Sequence, residues 1–81
     1  PDAREKAFPK FAEALKIWEQ LGNDENQIKS LQKLNDISYY RSDFRQSINY
    51  SFRILPLSQK IGNKNLEGGT LGNIGFYHHL L

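Results

Sequence analysis

Apolar residues recur every three or four positions along almost the whole chain, which is the spacing that buries one face of an α-helix. The stripes comprise Phe8, Phe11, Leu15 and Trp18; Ile28, Leu31, Leu34 and Ile37; Phe44, Ile48, Phe52 and Leu55; and Leu66, Leu71, Ile74 and Tyr77 or His78. No segment alternates convincingly between apolar and polar residues, so no strand is predicted. The pattern predicts an all-α fold of about four helices.

Polar turns separate the four stripes. They lie at Gly22-Asn23, at Arg41-Ser42-Asp43 and at Gly62-Asn63. Glycine adopts the left-handed conformation that ends many helices, and an asparagine side chain accepts a hydrogen bond from the free N–H groups of the next helix. In the middle turn, we expect Ser42 or Asp43 to cap the third helix.

Two prolines lie inside the apolar stripes, where proline removes a backbone donor and crowds the preceding turn. We expect Pro9 to open the first helix, with residues 1 to 8 as a looser lead-in. Pro56 lies far from the first turn of its helix, where proline is tolerated, so we expect a bend near Leu55.

The pattern repeats at an interval of forty residues. This shift aligns Leu15 with Leu55, Gly22-Asn23 with Gly62-Asn63, Leu31 with Leu71 and Leu34 with Ile74. The shift also places Leu21 opposite Ile61 and Ile17 opposite Leu57, and such matching of apolar positions at a fixed interval is typical of a repeat architecture.

Composition narrows the possible functions. With 81 residues the chain forms one small domain, and its 11 basic and 9 acidic residues are scattered, so no nucleic-acid interface is predicted. The chain has no cysteine and no apolar run of membrane-spanning length. We expect a cytoplasmic location without membrane contact. Because the chain starts at Pro1 and ends on Leu80-Leu81, we also expect it to be part of a longer protein.

The candidate chemical groups do not form a catalytic or metal site. His78 and His79 are adjacent, so they point about 100° apart on a helix, and no carboxylate lies near enough to complete a metal site. Asp24 and Glu25 favour a helix N-terminus, because they complement the positive end of its macrodipole. The glycine-rich stretch 61–77 lacks the spacing of a phosphate loop. We predict no enzyme activity, no metal and no cofactor.

Several segments together resemble a known repeat family. The segments are "EALKIWEQLGND", "SLQKLNDISYYRSDFRQSINYSFRILPLSQKIGN" and "NLEGGTLGNIGFY". They are similar to the tetratricopeptide repeat in its long variant of about forty residues, found in kinesin light chains and bacterial signalling proteins. Leu71, Asn73, Ile74 and Gly75 match the Leu-x-Asn-Ile-Gly core of the family's first helix. The resemblance implies antiparallel helix hairpins stacked as a right-handed superhelical solenoid.

This register divides the chain into three parts. Residues 1–22 supply the second helix of a partial repeat, residues 23–62 a full repeat, and residues 63–81 the first helix of a further partial repeat. The middle repeat departs from the family at Asn35, where glycine or alanine is preferred, at Ser38, where tyrosine is preferred, and at Ser51, where an aromatic residue is preferred.

The glycines of the fourth helix need an explanation, because glycine destabilises a helix interior by about 1 kcal/mol relative to alanine. We expect Gly75 to permit close approach of a neighbouring helix. Gly68, Gly69 and Gly72 either leave room for a partner at the concave side or are merely tolerated.

The resemblance implies a concave face formed by the first helix of each pair, on which a peptide or partner helix is held. It implies that Asn73 hydrogen-bonds the backbone of a bound peptide, with Lys33 at the equivalent position of the preceding repeat. The predicted peptide-binding residues are Lys29, Gln32, Lys33, Asp36, Tyr40, Gly72, Asn73, Phe76 and His79. The predicted function is a protein-interaction module within a larger signalling or regulatory protein. The alternative is a structural spacer or oligomerisation segment without a ligand. Because neither end has a capping helix, the isolated chain is expected to associate, fray or swap helices with a second copy.

Overall fold

The computed structural model describes residues 3–81, which form four antiparallel α-helices joined by short turns. The helices are α1 (Ala3–Leu21), α2 (Asp24–Tyr40), α3 (Phe44–Lys60) and α4 (Lys64–Leu80). No strand occurs in this part of the chain. The predicted all-α class and helix number are therefore confirmed, and none of these helices has the length and apolar character needed to cross a membrane.

The three turns share one geometry, although only two of them contain glycine. Their left-handed residues are Gly22 (φ +66°), Ser42 (φ +59°) and Gly62 (φ +72°). In the first turn, the N–H of Gly22 donates to the Glu19 carbonyl at 3.1 Å and the next N–H donates to Trp18 at 3.0 Å. This pair of bonds defines a Schellman motif, and the other two turns repeat it.

The residue after each left-handed position caps the following helix. The side chains of Asn23, Asp43 and Asn63 accept from the backbone N–H three residues later at 3.0, 3.2 and 3.0 Å, respectively. The predicted asparagine caps are confirmed. In the middle turn the cap is Asp43, whereas Ser42 supplies the left-handed residue. Asp24 and Glu25 lie in the first turn of α2, as predicted.

The backbone of each helix packs only against its neighbours in sequence, within residues 3–81. Side chains connect more distant helices, since Arg53 of α3 donates to Glu19 of α1 at 2.8 Å. The described chain measures 36 × 30 × 15 Å. In backbone contacts α2 and α3 each have two neighbouring helices, whereas α1 has α2 alone and α4 has α3 alone. Side chains also join α1 to α3 and α2 to α4.

The core is centred on α2. Leu15, Ile28, Leu31, Leu34 and Ile54 form one buried cluster. Phe8, Phe11, Ala12, Tyr50, Leu57 and Leu66 are partly buried against it. The whole second stripe predicted from the sequence is buried, because α2 lies between two helices.

The buried residues predicted for α3 and α4 are partly wrong. Phe52 and Leu71 are both 52% exposed, although each was expected in the core. In α3 the predicted Ile48 is buried. The buried face also comprises Ser47, Ser51, Ile54 and Ser58, which turns Phe52 outwards. In α4 the buried residues are Thr70, Ile74 and Tyr77.

The expected role of Gly75 is also wrong. A Cβ atom added there would meet nothing within 4 Å, and the same holds at Gly68, Gly69 and Gly72. Small residues at close helix contacts are serines instead: Ser38 and Ser47 are both fully buried. The Ser47 hydroxyl donates across the α2–α3 contact to the carbonyl of Asn35 at 3.4 Å.

Both helix-internal prolines lie within continuous helices. α1 begins at Ala3, so residues 3–8 are helical and do not form the looser lead-in that was expected. Residues 1 and 2 lie outside the described residues. α3 continues through Pro56 to Lys60, and the ring of Pro56 is on the exposed side of the helix.

Candidate functional site

A groove of about 340 Å³ lies between α2 and α4, with α3 beneath it. We call it the central groove. It is lined by Gln32, Lys33, Asn35 and Asp36 of α2, by Ser51 and Ile54 of α3, and by Asn65, Leu66, Gly69, Thr70 and Asn73 of α4. The lining combines side-chain amides, hydroxyls and one charge of each sign around a small apolar area.

The floor of the central groove is made of buried polar residues. Nδ2 of Asn35 donates to Oγ of Ser51 at 3.3 Å, and both residues are at most 5% exposed. The other side-chain atom of the amide, Oδ1, is buried and has no hydrogen-bond partner among the described residues. Thr70 donates its hydroxyl hydrogen to the carbonyl of Leu66 at 2.7 Å. The floor therefore contains hydrogen-bond donors as well as acceptors, because the hydroxyl of Ser51 keeps its own hydrogen while it accepts from Asn35.

The rim of the central groove carries two opposite charges. Partial burial raises the pKa of Asp36, and the positive charge of Lys33 opposes this by lowering it, with burial the larger effect. The two side chains follow each other on one face of α2, three residues apart. Their charges offset each other, so the groove has no strong net charge of its own.

A second groove of about 350 Å³ lies between α1 and α2, and we call it the lateral groove. It is lined by Ala3, Arg4, Ala7, Phe11, Lys33, Asp36, Ile37 and Tyr40. Lys33 and Asp36 line both grooves, so they form the ridge between them. The guanidinium of Arg4 lies 4.0 Å from the centre of the Tyr40 ring at the edge of the lateral groove.

A third groove of about 370 Å³ lies at the N-terminal end of α2. It is lined by Glu25, Ile28, Lys29, Gln32, Ile61, Asn63 and Leu66. Gln32 and Leu66 also line the central groove. The three depressions consequently form one interrupted surface along the exposed face of α2.

The residues predicted from the sequence are distributed over this surface. Gln32, Lys33, Asp36 and Asn73 meet in the central groove, Tyr40 lines the lateral groove, and Lys29 lines the third. Gly72, Phe76 and His79 are exposed residues of α4 that line none of the three. The ring of Phe76 instead lies 6.3 Å from that of Tyr39.

Sequence reasoning missed the floor of the central groove. Asn35, Ser51 and Thr70 are polar residues at positions where the helical spacing calls for a core residue. In the sequence, Asn35 and Ser51 stand out only as departures from the repeat pattern. A buried polar residue within an apolar stripe was the available signal. Its meaning depends on the neighbouring helices, which the sequence does not give.

An aromatic cluster closes one end of the α2–α4 contact. Tyr39 is its centre, with ring centroids of Phe44 and Tyr77 both at 5.9 Å. Burial raises the pKa of the Tyr77 hydroxyl, although a hydrogen bond with Asn35 acts in the opposite direction. The cluster links the packed end of α4 to the floor of the central groove.

No group of three His, Cys, Asp or Glu side chains within residues 3–81 is arranged to hold a metal ion. Comparisons with protein-family models, with curated proteins and with solved structures gave no match for this chain. Function is therefore inferred from the residues and the geometry of the grooves.

Proposed function

We propose that the protein is a protein-interaction module, similar to a tetratricopeptide-repeat scaffold, that holds an extended polypeptide segment on the α2–α4 face. The observation that carries this proposal is the central groove, which combines four of the predicted binding residues, Gln32, Lys33, Asp36 and Asn73. We further propose that the module serves a larger signalling or regulatory protein of the cytoplasm.

The chemistry of the groove favours a polypeptide main chain. Gln32, Asn65 and Asn73 line it with side-chain amides. An amide both donates and accepts, so these groups complement the N–H and C=O groups of an extended peptide. Asn73 is also the residue that the family resemblance implicates in backbone recognition, and it lies among these partners.

The surface is long enough for several consecutive residues. The ridge of Lys33 and Asp36 connects the central groove with the lateral groove, where Phe11 and Tyr40 add apolar area. A bound segment that crosses this ridge would place a polar stretch over α4 and an apolar side chain beside α1. Alternating polar and apolar contacts are typical of extended peptide recognition.

Selection from a random peptide library displayed on phage tests this proposal. We expect enriched peptides whose affinity falls about tenfold or more, or about 1.4 kcal/mol, with Lys33→Ala and with Asn73→Ala. The matched controls Lys16→Ala and Asn49→Ala alter exposed residues of α1 and α3 outside these grooves and should leave affinity unchanged. Failure to enrich any peptide, or equal effects of all four substitutions, would overturn it.

The alternative function is a spacer or oligomerisation segment, and one observation favours it. α1 and α4 each expose apolar side chains: Ile17 and Leu21 are 51% and 68% exposed, and Leu71 is 52% exposed. Multi-angle light scattering over a concentration series distinguishes the two functions. A monomer that binds selected peptides supports the interaction module, whereas an obligate dimer that binds none supports the spacer.

A further inference from the structure

Three exposed apolar side chains lie at positions whose counterparts in the repeat pattern belong to the core. These side chains are Ile17, Phe52 and Leu71, which are 51%, 52% and 52% exposed, respectively. The forty-residue shift pairs them with Leu57, Ala12 and Leu31. Leu31 belongs to the buried core cluster, and Leu57 and Ala12 both pack against that cluster. Residues that are buried together at one place in the chain are therefore exposed to solvent at the equivalent place.

The helices that carry the counterparts show what would cover the exposed side chains. The counterparts come from α1, α2 and α3, which lie side by side. After the shift, Phe52 lies on α3 and Leu71 on α4, whereas Ile17 lies on α1 at the other side of the molecule. Within residues 3–81 the backbones of α1 and α4 do not touch. The set is complete when α1 of a second copy lies against α4 as α3 lies against α2.

The residue sizes around this set compensate for each other. Ala12 of the core corresponds to the larger Phe52, and Ile28 of the core corresponds to Gly68. A Cβ atom added at Gly68 would meet nothing within 4 Å, so the space beside it is open. Because protein cores keep a nearly constant packing density, a gain in volume at one position needs a loss at a neighbouring one. The surface on α3 and α4 meets this condition.

The charged residues do not oppose the contact at the one ion pair that can be compared. Nζ of Lys60 lies 3.1 Å from a carboxylate oxygen of Asp24 across the α2–α3 contact. Their counterparts are Gln20 on α1 and Lys64 on α4. A neutral amide would thus face a single positive charge, and no like charges would be brought together.

We propose that a second copy of the chain docks on the outer face of α4 through its α1, so that Ile17 of one copy packs against Phe52 and Leu71 of the other. The two surfaces differ, so each copy keeps one of them free and association continues head to tail. A contact between so few helices is small, so the chain is a monomer in dilute solution. None of the three residues lines the central groove, and this inference does not rest on the proposed function.

Sedimentation equilibrium from about 10 μM to about 1 mM measures the association. We expect the mean mass of the unaltered chain to rise continuously beyond that of a dimer. Ile17→Glu and Leu71→Glu each place a charge in the contact and should weaken association at least about tenfold. The matched control Leu80→Glu changes a leucine of α4 that is 39% exposed and whose counterpart, Tyr40, is 64% exposed. It should leave association unchanged, and circular dichroism checks that all three variants are folded.

Mixing the two weakened variants tests the direction of the contact. Ile17→Glu keeps an unaltered surface on α3 and α4, and Leu71→Glu keeps an unaltered α1. An equimolar mixture should therefore form a one-to-one heterodimer, with the affinity of the unaltered chain and without longer chains. If α4 paired with α4 instead, Ile17→Glu alone would still associate. If α1 paired with α1, Leu71→Glu alone would still associate.

Several results would overturn the inference. They are an unaltered chain that stays monomeric at about 1 mM, a mass that stops at a dimer, and a mixture without heterodimer. A dimer formed by exchange of helices would also overturn it, because such a dimer would not depend on Ile17. Each of these results would leave peptide binding at the central groove untouched, so the proposed function is tested separately.

Discussion

Leu31 and Leu71 lie forty residues apart at equivalent positions of the repeat pattern, yet Leu31 is 1% exposed and Leu71 is 52% exposed. The two helices differ in their neighbours, because the backbone of α2 lies against both α1 and α3, whereas that of α4 lies against α3 alone within the described chain. Equivalent residues can therefore have very different energetic roles.

Alanine substitution should separate these two leucines. Leu31→Ala removes buried methyl groups and leaves a cavity, so we expect the free energy of unfolding to fall by about 2–5 kcal/mol. Leu71→Ala should change it by no more than about 0.5 kcal/mol, since the side chain is largely solvated. Urea denaturation followed by circular dichroism measures both. Similar losses for the two variants would mean that α4 has a partner on its outer face.

The glycines of α4 should be replaceable, unlike those of the turns. Gly68 is helical and a Cβ there meets nothing within 4 Å, so Gly68→Ala should stabilise the protein by about 1 kcal/mol. Gly62 also has open space, but its φ of +72° disfavours any side chain. Gly62→Ala should destabilise the protein by about 1 kcal/mol. The melting temperatures of the Gly68→Ala and Gly62→Ala variants, compared with that of the unaltered chain, test both expectations. A stabilised Gly62→Ala variant would contradict the turn geometry.

Ser42 is the natural place to improve stability. It has φ +59° in a turn whose two counterparts contain glycine at that position. Ser42→Gly should raise the free energy of unfolding by about 1 kcal/mol, because it relieves a left-handed conformation that serine disfavours. Ser42→Ala serves as the control and should give no gain. An unchanged urea midpoint for Ser42→Gly would show that the serine side chain compensates for its backbone.

Asp36 should make stability depend on pH. Burial raises its pKa above the ordinary value of 3.8, so the folded state holds the proton more tightly than the unfolded state does. The stability that protonated Asp36 contributes is complete below that ordinary value and is lost as pH rises through the raised folded pKa.

Asp36→Asn should therefore be more stable than the unaltered chain at about pH 7, and the difference should shrink towards about pH 3. Urea denaturation at each pH measures this difference. Glu13→Gln, at an exposed residue of α1, corrects for the general loss of one negative charge. A variant that is less stable at neutral pH would mean that the ionised Asp36 is held by attraction to Lys33 more than it is disfavoured by burial.

Local chemistry explains why the helices and turns could be predicted. A glycine followed by asparagine determines both the end of one helix and the start of the next. The hydrogen bonds that end the first helix and cap the second are made by residues only three to five positions away. Only Ser42 departed from this rule, where a serine adopts the glycine conformation. Helix faces were predictable in α2, because it is surrounded on both sides.

The faces of α3 and the lining of the central groove depended on tertiary packing. Phe52 is apolar and lies in an apolar stripe. Three serines share the buried face of α3 with Ile48 and Ile54, so the ring of Phe52 is turned outwards. The exposed face of α2 followed from helical spacing, which identified Gln32, Lys33 and Asp36. That this face of α2 forms a groove together with Ser51 and Thr70 could not be predicted, because it depends on how α3 and α4 lie against α2. Binding at this surface stays a prediction.

The central claim is that the α2–α4 face holds a polypeptide, and a spin-labelled selected peptide tests it most directly. We predict that the label broadens the NMR signals of Lys33, Asn35 and Asn73 in the central groove and leaves those of Lys16 and Gln20 on α1 sharp. Broadening centred on Ile17 and Leu21, or on Leu71 at the outer face of α4, would contradict the account.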